Sequence, residues 1–332
     1  MPLEVFRAPA EFASRFGVGG RRSVVTVGNF DGIHMGHQKI LREVVEQACT
    51  LDAIATVVTF EPPPLKVLRP DMAPPRISTL EQRIAGFREL GLDAAVILKF
   101  DLAFSRIPPE EFVRGILAEQ LQMGAILVSD NFRFGHKHAG DVAMLAALGR
   151  LCGFETMIMP TVAFRGETIS STVIRRLVGM GRVSSAARLL GKPFVLTGQI
   201  RPGTGTGSKL VFPTLNLEAD QELLPARGVY ITETQVQGRA YRSVTNVGVR
   251  PTFNGSALVI ESHLFNFLDR VTSGPMEIGF CRRLREEKKF DGAGELRAQI
   301  VKDMDRATRF WERLRKGGTY EARSSQSAVH RH

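Results

Sequence analysis

Two histidines and the glycines Gly28 and Gly36 lie at fixed positions of a stretch that reads G-x-F-D-x-x-H-x-G-H from Gly28 to His37. An apolar run ends just before this stretch, and an amphipathic helical pattern follows it. Glycines let the backbone approach phosphate groups closely, and the free N–H groups at the start of a helix favour anions. His34 and His37 are three residues apart and can share one helix face. The spacing therefore predicts a nucleotide phosphate site in which both histidines point at one phosphate.

Two other interpretations of these histidines are a capped helix start with surface histidines and an H-x-x-H metal pair. The metal site is the weaker one, because two histidines alone leave it incomplete and no third ligand lies nearby in the sequence. Six constrained positions among ten residues rarely coincide, so we favour the phosphate site.

A second dense stretch runs from Gly198 to Asn216, with glycines followed by Phe-Pro-Thr-Leu-Asn. It matches neither the Walker P-loop order nor G-x-G-x-x-G. Thr214 and Asn216 alternate to one side of an extended segment, so the oxygens of both side chains could meet one metal ion. A flexible Gly/Thr hairpin is the alternative.

The elements around the first motif alternate between strand and helix patterns. Strands are predicted from apolar runs at Val24–Val27, Ile54–Phe60, Ala94–Phe100, Ala125–Val128 and Thr156–Met159. Near-continuous apolar strands separated by helices predict an α/β fold with a parallel, Rossmann-like sheet covered on both faces. Ligands of such sheets bind at the carboxyl ends of the strands. That rule places the first motif, Thr59–Pro64 and Ser129–Phe134 along one edge.

The pattern changes after Gly191, where strands with turns between them replace the long helices. These strands are predicted at Phe194–Ile200, Gly228–Glu233, Ala240–Asn246 and Leu258–Phe265. They favour a compact antiparallel β-barrel, followed by a C-terminal helix from about Gly294 to Lys316. We therefore expect one domain at residues 1–191, a second at 192–316, and a disordered tail at 317–332.

Composition narrows the class of protein. The 332 residues are 43% apolar and 23% charged, which excludes wholesale disorder and accommodates two domains. No apolar run approaches the ~20 residues of a membrane span, and the N-terminus is no secretory signal. Three scattered cysteines predict buried free thiols and a cytoplasmic protein. The net charge of +10 is spread along the chain, which favours small anionic substrates over nucleic acid.

The first motif resembles the signature of the nucleotidyltransferase superfamily. Three further stretches narrow the resemblance to the bifunctional bacterial riboflavin kinase/FMN adenylyltransferases, also called FAD synthetases: Thr59–Pro62, Val128–Gly135 and Ile169–Arg175. Residues of the last two stretches also have plainer interpretations when taken alone. Asn131 could be a turn residue, Phe132 and Phe134 could belong to the core, and Ser170–Thr172 could cap a helix.

The resemblance implies adenylyl transfer from ATP to FMN in the first domain. His34 and His37 would act at the α-phosphate and Arg175 on the leaving phosphates, while Asp31 and Asn131 would hold substrate or metal-bound water. The implied ATP-binding residues in this domain are Gly28, Phe30, Gly36, Ser170, Ser171 and Thr172.

The second dense stretch resembles the riboflavin kinase signature, a glycine-rich loop followed by Pro-Thr-Ala-Asn. The residues that would bind Mg·ATP are Gly203, Gly205, Gly207, Pro213, Thr214 and Asn216, with Thr214 and Asn216 as Mg²⁺ ligands. Glu261 would be the general base for phosphorylation of riboflavin to FMN; otherwise it is a strand glutamate facing solvent. The implied substrates are ATP, riboflavin and FMN.

Three positions depart from the family pattern. Pro63 replaces a histidine, Val211 replaces a glycine, and Arg270–Ser273 replaces Asp-Leu-Tyr-Gly. His136 or His138 could supply the polar contact missing at Pro63, although we favour a solvent-facing position for both. The departures leave two alternatives: a nucleotidyltransferase for another phosphorylated acceptor, and a flavin- or RNA-binding regulator without catalysis.

Overall fold

The computed structural model describes residues 2–17, 20–164, 166–202, 213–252 and 255–316. The chain divides into two compact units, the first ending at Ser171 and the second beginning at Thr172. This division precedes the domain boundary expected at residue 191, and that boundary stays a prediction.

The first unit contains a parallel sheet with the strand order β1-β4-β3-β2-β5-β6 among its described residues. The strands are β1 Glu4–Phe6, β2 Ser23–Val27, β3 Ile54–Glu61, β4 Ala94–Lys99, β5 Met123–Ser129 and β6 Glu155–Met159. The predicted parallel α/β fold is confirmed. The short strand β1 was not predicted, because its three residues show no apolar run.

The helices of the first unit lie between these strands. They are α1 Pro9–Phe16, α2 Met35–Thr50, α3 Pro64–Leu68, α4 Leu80–Glu89, α5 Pro109–Glu111 and α6 Val142–Cys152. The π-helix Phe112–Gln120 continues α5, and 3-10 turns occur at Pro70–Met72, Phe104–Arg106 and His136–His138. A two-stranded ribbon, β7 Ala163–Phe164 and β8 Glu167–Thr168, follows the sheet.

Both faces of the sheet are buried, each against its own apolar cluster. Val25 and Val58 belong to a cluster with Phe112 and Leu145 from the π-helix and α6. Their chain neighbours Val24 and Val57 belong to a second cluster with residues of α2 and α4. Because successive strand residues point to opposite faces, a strand buried on both sides is largely apolar; in β2 and β3 the buried exceptions are Ser23, Thr26, Thr56 and Thr59.

The second unit contains a closed barrel, in which the described strands follow the order β10-β13-β12-β11-β14-β9. The elements are α7 Ser171–Gly179, which spans the division, α8 Val183–Leu190, β9 Phe194–Arg201, β10 Leu215–Ala219, β11 Gly228–Val236, β12 Arg239–Thr252, β13 Gly255–Leu264, β14 Pro275–Arg285 and α9 Ala293–Lys316. Every pairing in the barrel is antiparallel. The predicted barrel and C-terminal helix are confirmed, and α9 packs Ala307 and Trp311 against Val229 and Ile231.

Two strands of the barrel, β10 and β14, were not among the four predicted. β10 is short and gives a weak signal. In β14 the buried residues Met276, Ile278 and Phe280 alternate with Glu277 and Gly279, so this strand carried a signal that the prediction missed. The predicted tail from residue 317 lies outside the described residues.

The cysteines are free, as predicted, but they are not all buried. Cys49 is exposed, because it lies beside the buried face of α2 formed by Leu41, Val44 and Ala48. Cys152 and Cys281 are half-buried. Across the described residues, no helix has both the length and the apolar character needed to cross a membrane.

Candidate active site

The first motif forms a loop, here called the motif loop, from Gly28 at the end of β2 to His37 in the first turn of α2. Three of its residues have left-handed backbone angles: Phe30 with φ 49°, Gly32 with φ 83° and Ile33 with φ 40°. Only glycine adopts this region freely, so Phe30 and Ile33 are strained.

The rings of His34 and His37 stack, with 3.7 Å between their centroids and 15° between their planes. The backbone N–H of His37 donates to His34 Nδ1 at 3.3 Å, so His34 caps α2. A neutral His34 that accepts at Nδ1 carries its proton on Nε2.

The residue His34 is buried as a whole, whereas His37 is half-buried and keeps its ring nitrogen Nδ1 inside the protein. Burial, with a smaller contribution from His34, holds the pKa of His37 well below its ordinary value, so its imidazole is neutral at neutral pH. Its Nδ1 atom is buried and has no hydrogen-bond partner among the described residues. A buried polar atom without a partner is costly, so it calls for an explanation such as a role in the site.

Gly36, Gly28 and Phe30 support the histidines. A Cβ atom on Gly36 would lie 3.2 Å from His34 Nδ1, so the missing side chain makes room for that ring. Gly28 donates its N–H to the Val58 carbonyl at 3.1 Å. Phe30 is buried, and its ring meets His37 edge-on at 5.1 Å. The ATP contacts expected of these residues stay predictions.

Asp31 is engaged with the protein backbone. Its carboxylate accepts from the N–H groups of Ile77 at 3.1 Å and Ser78 at 3.0 Å, and from Ser78 Oγ at 3.2 Å. Ser171 Oγ donates to the Asp31 carbonyl at 3.0 Å. The structure therefore gives Asp31 a role in shaping the loop, beside the ligand role expected from the sequence.

A cavity of about 500 Å³ opens beside the motif loop, at the carboxyl ends of β2 and β5. The motif loop, Thr59–Pro64 and Ser129–Phe134 all contribute to it, as the edge rule predicted. Its aromatic walls are Phe30, Phe60, Phe100, Phe104, Phe112, Phe132 and Phe134. Arg133 and Lys137 are its charged side chains, and none of its described lining residues is a carboxylate. Such a cavity can hold a flat apolar ring that carries an anionic group.

Asn131 lines this cavity, and its amide oxygen accepts a hydrogen bond. Ser129 Oγ donates to Asn131 Oδ1 at 2.8 Å, which leaves the amide NH₂ group to donate to a ligand. Phe132 and Phe134 stack at 5.5 Å and serve both the core and the cavity wall.

The two loop histidines and Pro63 lie near the same cavity. His136 and His138 are both exposed, as expected, but His138 also lines the cavity. His136 Nδ1 lies 2.9 Å from the Ser105 carbonyl oxygen. Pro63 precedes α3, whose residues Pro64 and Leu65 line the cavity.

In the second unit, Glu261 lies on β13 between two asparagines. It pairs directly with Asn216 of β10 and with Asn246 of β12, so the three side chains share one face of the barrel wall. The next residue, Ser262, is fully buried in the barrel, which directs Glu261 to the outer face. Asn246 was not among the predicted site residues.

The remaining predicted residues are described in part. Pro213 and Thr214 are exposed and precede β10, and the Pro213 carbonyl lies 2.9 Å from His263 Nδ1. Gly203, Gly205, Gly207 and Val211 lie outside the described residues. On α7, Ser170 precedes the helix, Thr172 is exposed and Arg175 is half-buried.

Sequence reasoning missed one buried cation behind the motif loop, Arg83. A sequence signal for its burial was present, because Leu80, Arg83 and Phe87 have the i, i+3, i+7 spacing of the buried face of α4. A charged residue at a core position of an amphipathic helix needs a buried partner.

The comparisons with known proteins agree on both units. An FAD synthetase family model matches residues 19–173, and a riboflavin kinase model matches residues 190–311. The bifunctional riboflavin kinase/FMN adenylyltransferase of Haemophilus influenzae is 33% identical over 288 residues, which cover 86% of this chain and 94% of that protein. The chain belongs to the bifunctional riboflavin kinase/FMN adenylyltransferase family.

Other matches support this membership. The riboflavin kinase/FMN adenylyltransferase of Pseudomonas fluorescens is 34% identical over 285 residues, covering 86% of this chain and 91% of that one. A crystal structure described as a macrolide-efflux protein from Streptococcus pneumoniae has a TM-score of 0.82 at 27% identity, covering 92% of this chain and 98% of that one. As a riboflavin kinase/FMN adenylyltransferase, the chain phosphorylates riboflavin to FMN and transfers AMP from ATP to FMN, giving FAD.

Proposed function

We propose that the motif loop and the aromatic cavity form the FMN adenylyltransferase site, and that Glu261, Asn216 and Thr214 belong to the riboflavin kinase site. The observation that carries the first assignment is the stacked histidine pair, with a buried unpartnered Nδ1 on His37, beside a cavity that His37 itself lines.

Adenylyl transfer needs positioning and charge neutralisation at this site. A phosphate oxygen of FMN attacks the α-phosphorus of ATP in line; a new P–O bond forms, the bond to the bridging oxygen breaks, and pyrophosphate leaves. The attacking phosphate is already anionic at neutral pH and needs no base. His34 and His37 hydrogen-bond the α-phosphate, and Arg175 binds the leaving phosphates.

The cavity binds the flavin ring of FMN in this proposal. Its phenylalanine walls offer a surface for stacking, and the Asn131 amide can donate to a ring oxygen or nitrogen. Arg133 and Lys137 supply positive charge near the phosphate of FMN or ATP.

Riboflavin phosphorylation needs a base and a neutralised triphosphate. Glu261 removes the proton of the ribityl 5′-hydroxyl as its oxygen attacks the γ-phosphorus of ATP, and ADP leaves. Thr214 and Asn216 offer neutral oxygen atoms, which suit Mg²⁺ because this ion keeps several waters and uses few protein ligands. When bound with ATP, Mg²⁺ neutralises phosphate charge. The position of Asn216 directly opposite Glu261 supports this assignment.

The three free cysteines support a reducing compartment, so we also propose that the enzyme acts in the cytoplasm. Its partners in this proposal are small molecules, namely ATP, riboflavin and FMN, without nucleic acid.

Two variants test the division of labour. Glu261→Gln should lower FMN formation from riboflavin about 10²- to 10⁴-fold and leave FAD formation from supplied FMN unchanged. The double variant His34→Ala/His37→Ala should do the reverse. Each protein is incubated with Mg·ATP and either riboflavin or FMN, and the flavins are separated by chromatography.

Matched controls make the result specific. Glu277→Gln removes an exposed strand carboxylate of the same barrel, and His136→Ala removes an exposed histidine; both should keep both activities. Equal loss of the two activities in either test variant would contradict the assignment, and so would near-wild-type FAD synthesis by the double histidine variant.

A further inference from the structure

We propose that Arg83 is a positioning residue for adenylyl transfer, whose buried guanidinium fixes the motif loop from behind. The inference rests on the proposed assignment of His34 and His37 to that reaction.

The Arg83 guanidinium joins the motif loop to strand β3. Its side chain is 3% exposed. Nη1 donates to the Asn29 carbonyl of the motif loop at 3.0 Å and to Thr59 Oγ1 at 3.0 Å. Nη2 forms an ion pair with Glu61. One planar cation thus ties the loop backbone to two residues at the end of β3.

A second anchor holds the loop three residues before the first histidine. Asp31 accepts hydrogen bonds from Ile77 and Ser78, in the segment that leads into α4. Ser78 Oγ accepts from the Gly32 N–H at 2.9 Å. Both anchors therefore come from the same part of the chain, between Ile77 and Arg83.

The buried face of α4 supplies apolar support between these anchors. A Cβ atom on Gly86 would lie 2.5 Å from Ile33 Cδ1, so this glycine admits the Ile33 side chain. Phe87 meets Phe30 edge-on at 5.8 Å, and Phe30 in turn meets His37 at 5.1 Å. The histidine pair is therefore supported by a chain of aromatic contacts that runs from Phe87 of α4 through Phe30 to His37.

The strained backbone explains why such support is needed. Phe30 and Ile33 hold left-handed angles that persist only where the surroundings over-determine them. Ile33 directly precedes His34, which caps the start of α2, so the turn from Phe30 to Ile33 sets the position of His34. Loss of the Arg83 contact to Asn29 would free one side of this strained turn and shift the histidines, and small displacements at a reaction centre are costly to the rate.

Arg76 offers a comparison that distinguishes positioning of the motif loop by Arg83 from simple charge pairing with Glu61. Arg76 also pairs with Glu61, with Nη1 at 2.8 Å, but its side chain is 31% exposed. Arg83, in addition to its pairing with Glu61, reaches the motif loop through the Asn29 carbonyl. Replacement of either one removes the same charge from Glu61.

The experiment compares Arg83→Lys, Arg83→Met and Arg76→Met in the full-length enzyme. Lysine keeps the charge but lacks the fork that reaches Asn29 and Glu61 together. For FAD formation from FMN and Mg·ATP, we expect Arg83→Lys to lower kcat by about 10- to 100-fold, with KM for both substrates within about threefold. Arg83→Met should lose more, and Arg76→Met should keep kcat within about twofold.

The riboflavin kinase activity of each preparation is the internal reference and should stay at the wild-type level. Wild-type kcat in Arg83→Lys would overturn the inference, because charge alone would then suffice. A rise in KM with unchanged kcat would also overturn it. If the double histidine variant keeps FAD synthesis, the proposed site itself fails; if that variant is inactive while Arg83→Lys is not, only the role of Arg83 fails.

Discussion

At the scale of single residues, the motif loop depends on the absence of a side chain as much as on its two imidazoles. Gly36 is the clearest case. A Cβ atom there would lie 3.2 Å from Nδ1 and 3.3 Å from Cε1 of the buried His34 ring. A ring packed in this way can move only by disturbing its stack with His37.

We therefore expect Gly36→Ala to lower the rate of FAD formation from FMN by about tenfold or more, because the histidine pair is displaced. The measurement is the steady-state rate of FAD formation, with FMN formation from riboflavin as the reference. Gly115→Ala is the control, since a Cβ atom there meets open space. Equal rates for the two alanine variants would show that the His34 position does not limit the reaction.

At the scale of elements, the barrel contains a closed ring of buried hydroxyl groups. It runs Thr232–Ser243–Thr234–Ser262–Thr245 and back to Thr232, with oxygen–oxygen distances of 2.7–3.0 Å. All five side chains are fully buried. In such a ring each hydroxyl can donate once and accept once, so the ring satisfies polar groups of β11, β12 and β13 without water.

Removal of one member should destabilise the barrel. Thr234→Val leaves Ser243 and Ser262 each short of one partner, and we expect it to lower the free energy of unfolding by about 1–3 kcal/mol. The measurement is urea denaturation followed by the loss of riboflavin kinase activity.

The same chemical change elsewhere should have the opposite effect. Thr156 on β6 has a buried Oγ1 with no partner among the described residues. Thr156→Val removes this unsatisfied hydroxyl, so the first unit should keep or gain stability, read from the loss of FAD formation in urea. A stable Thr234→Val barrel would mean that the ring contributes no net stability.

At the scale of the whole molecule, one chain carries two reactions in series, and the product of the second unit is a substrate of the first. FMN is a small molecule that can leave one protein and bind another. An equimolar mixture of Glu261→Gln and His34→Ala/His37→Ala should therefore form FAD from riboflavin after a lag, although neither variant does so alone.

The time course of FMN and FAD, resolved by chromatography, checks this expectation. The lag should shorten as protein concentration rises, because free FMN then accumulates faster. A mixture that accumulates FMN without FAD would show that FMN must be handed over within one chain.

The sequence by itself determined the architecture and the chemistry of this protein. Strands covered on both faces are largely apolar, so β2 to β5, together with the edge strand β6, were visible as short runs between helical patterns. Their shared direction placed the motif loop, Thr59–Pro64 and Ser129–Phe134 on one edge. The glycine and histidine spacing marked the loop, and Glu261 was identified through the resemblance. These signals lie in residues that are close together in the sequence, so they can be recognised without knowledge of the tertiary structure.

Only the tertiary structure decided how the loop is held. Arg83 reaches Asn29 and Asp31 reaches Ile77 across gaps of dozens of residues, and no spacing rule relates such positions. The same holds for Asn246 beside Glu261, which depends on strand register. The hydrogen bonds that the Asp31 carboxylate accepts from the Ile77 and Ser78 N–H groups were likewise not predicted, and its expected ligand role stays a prediction. Hydrogen bonds between distant segments form only after the chain has packed, so their partners cannot be read before the fold is known.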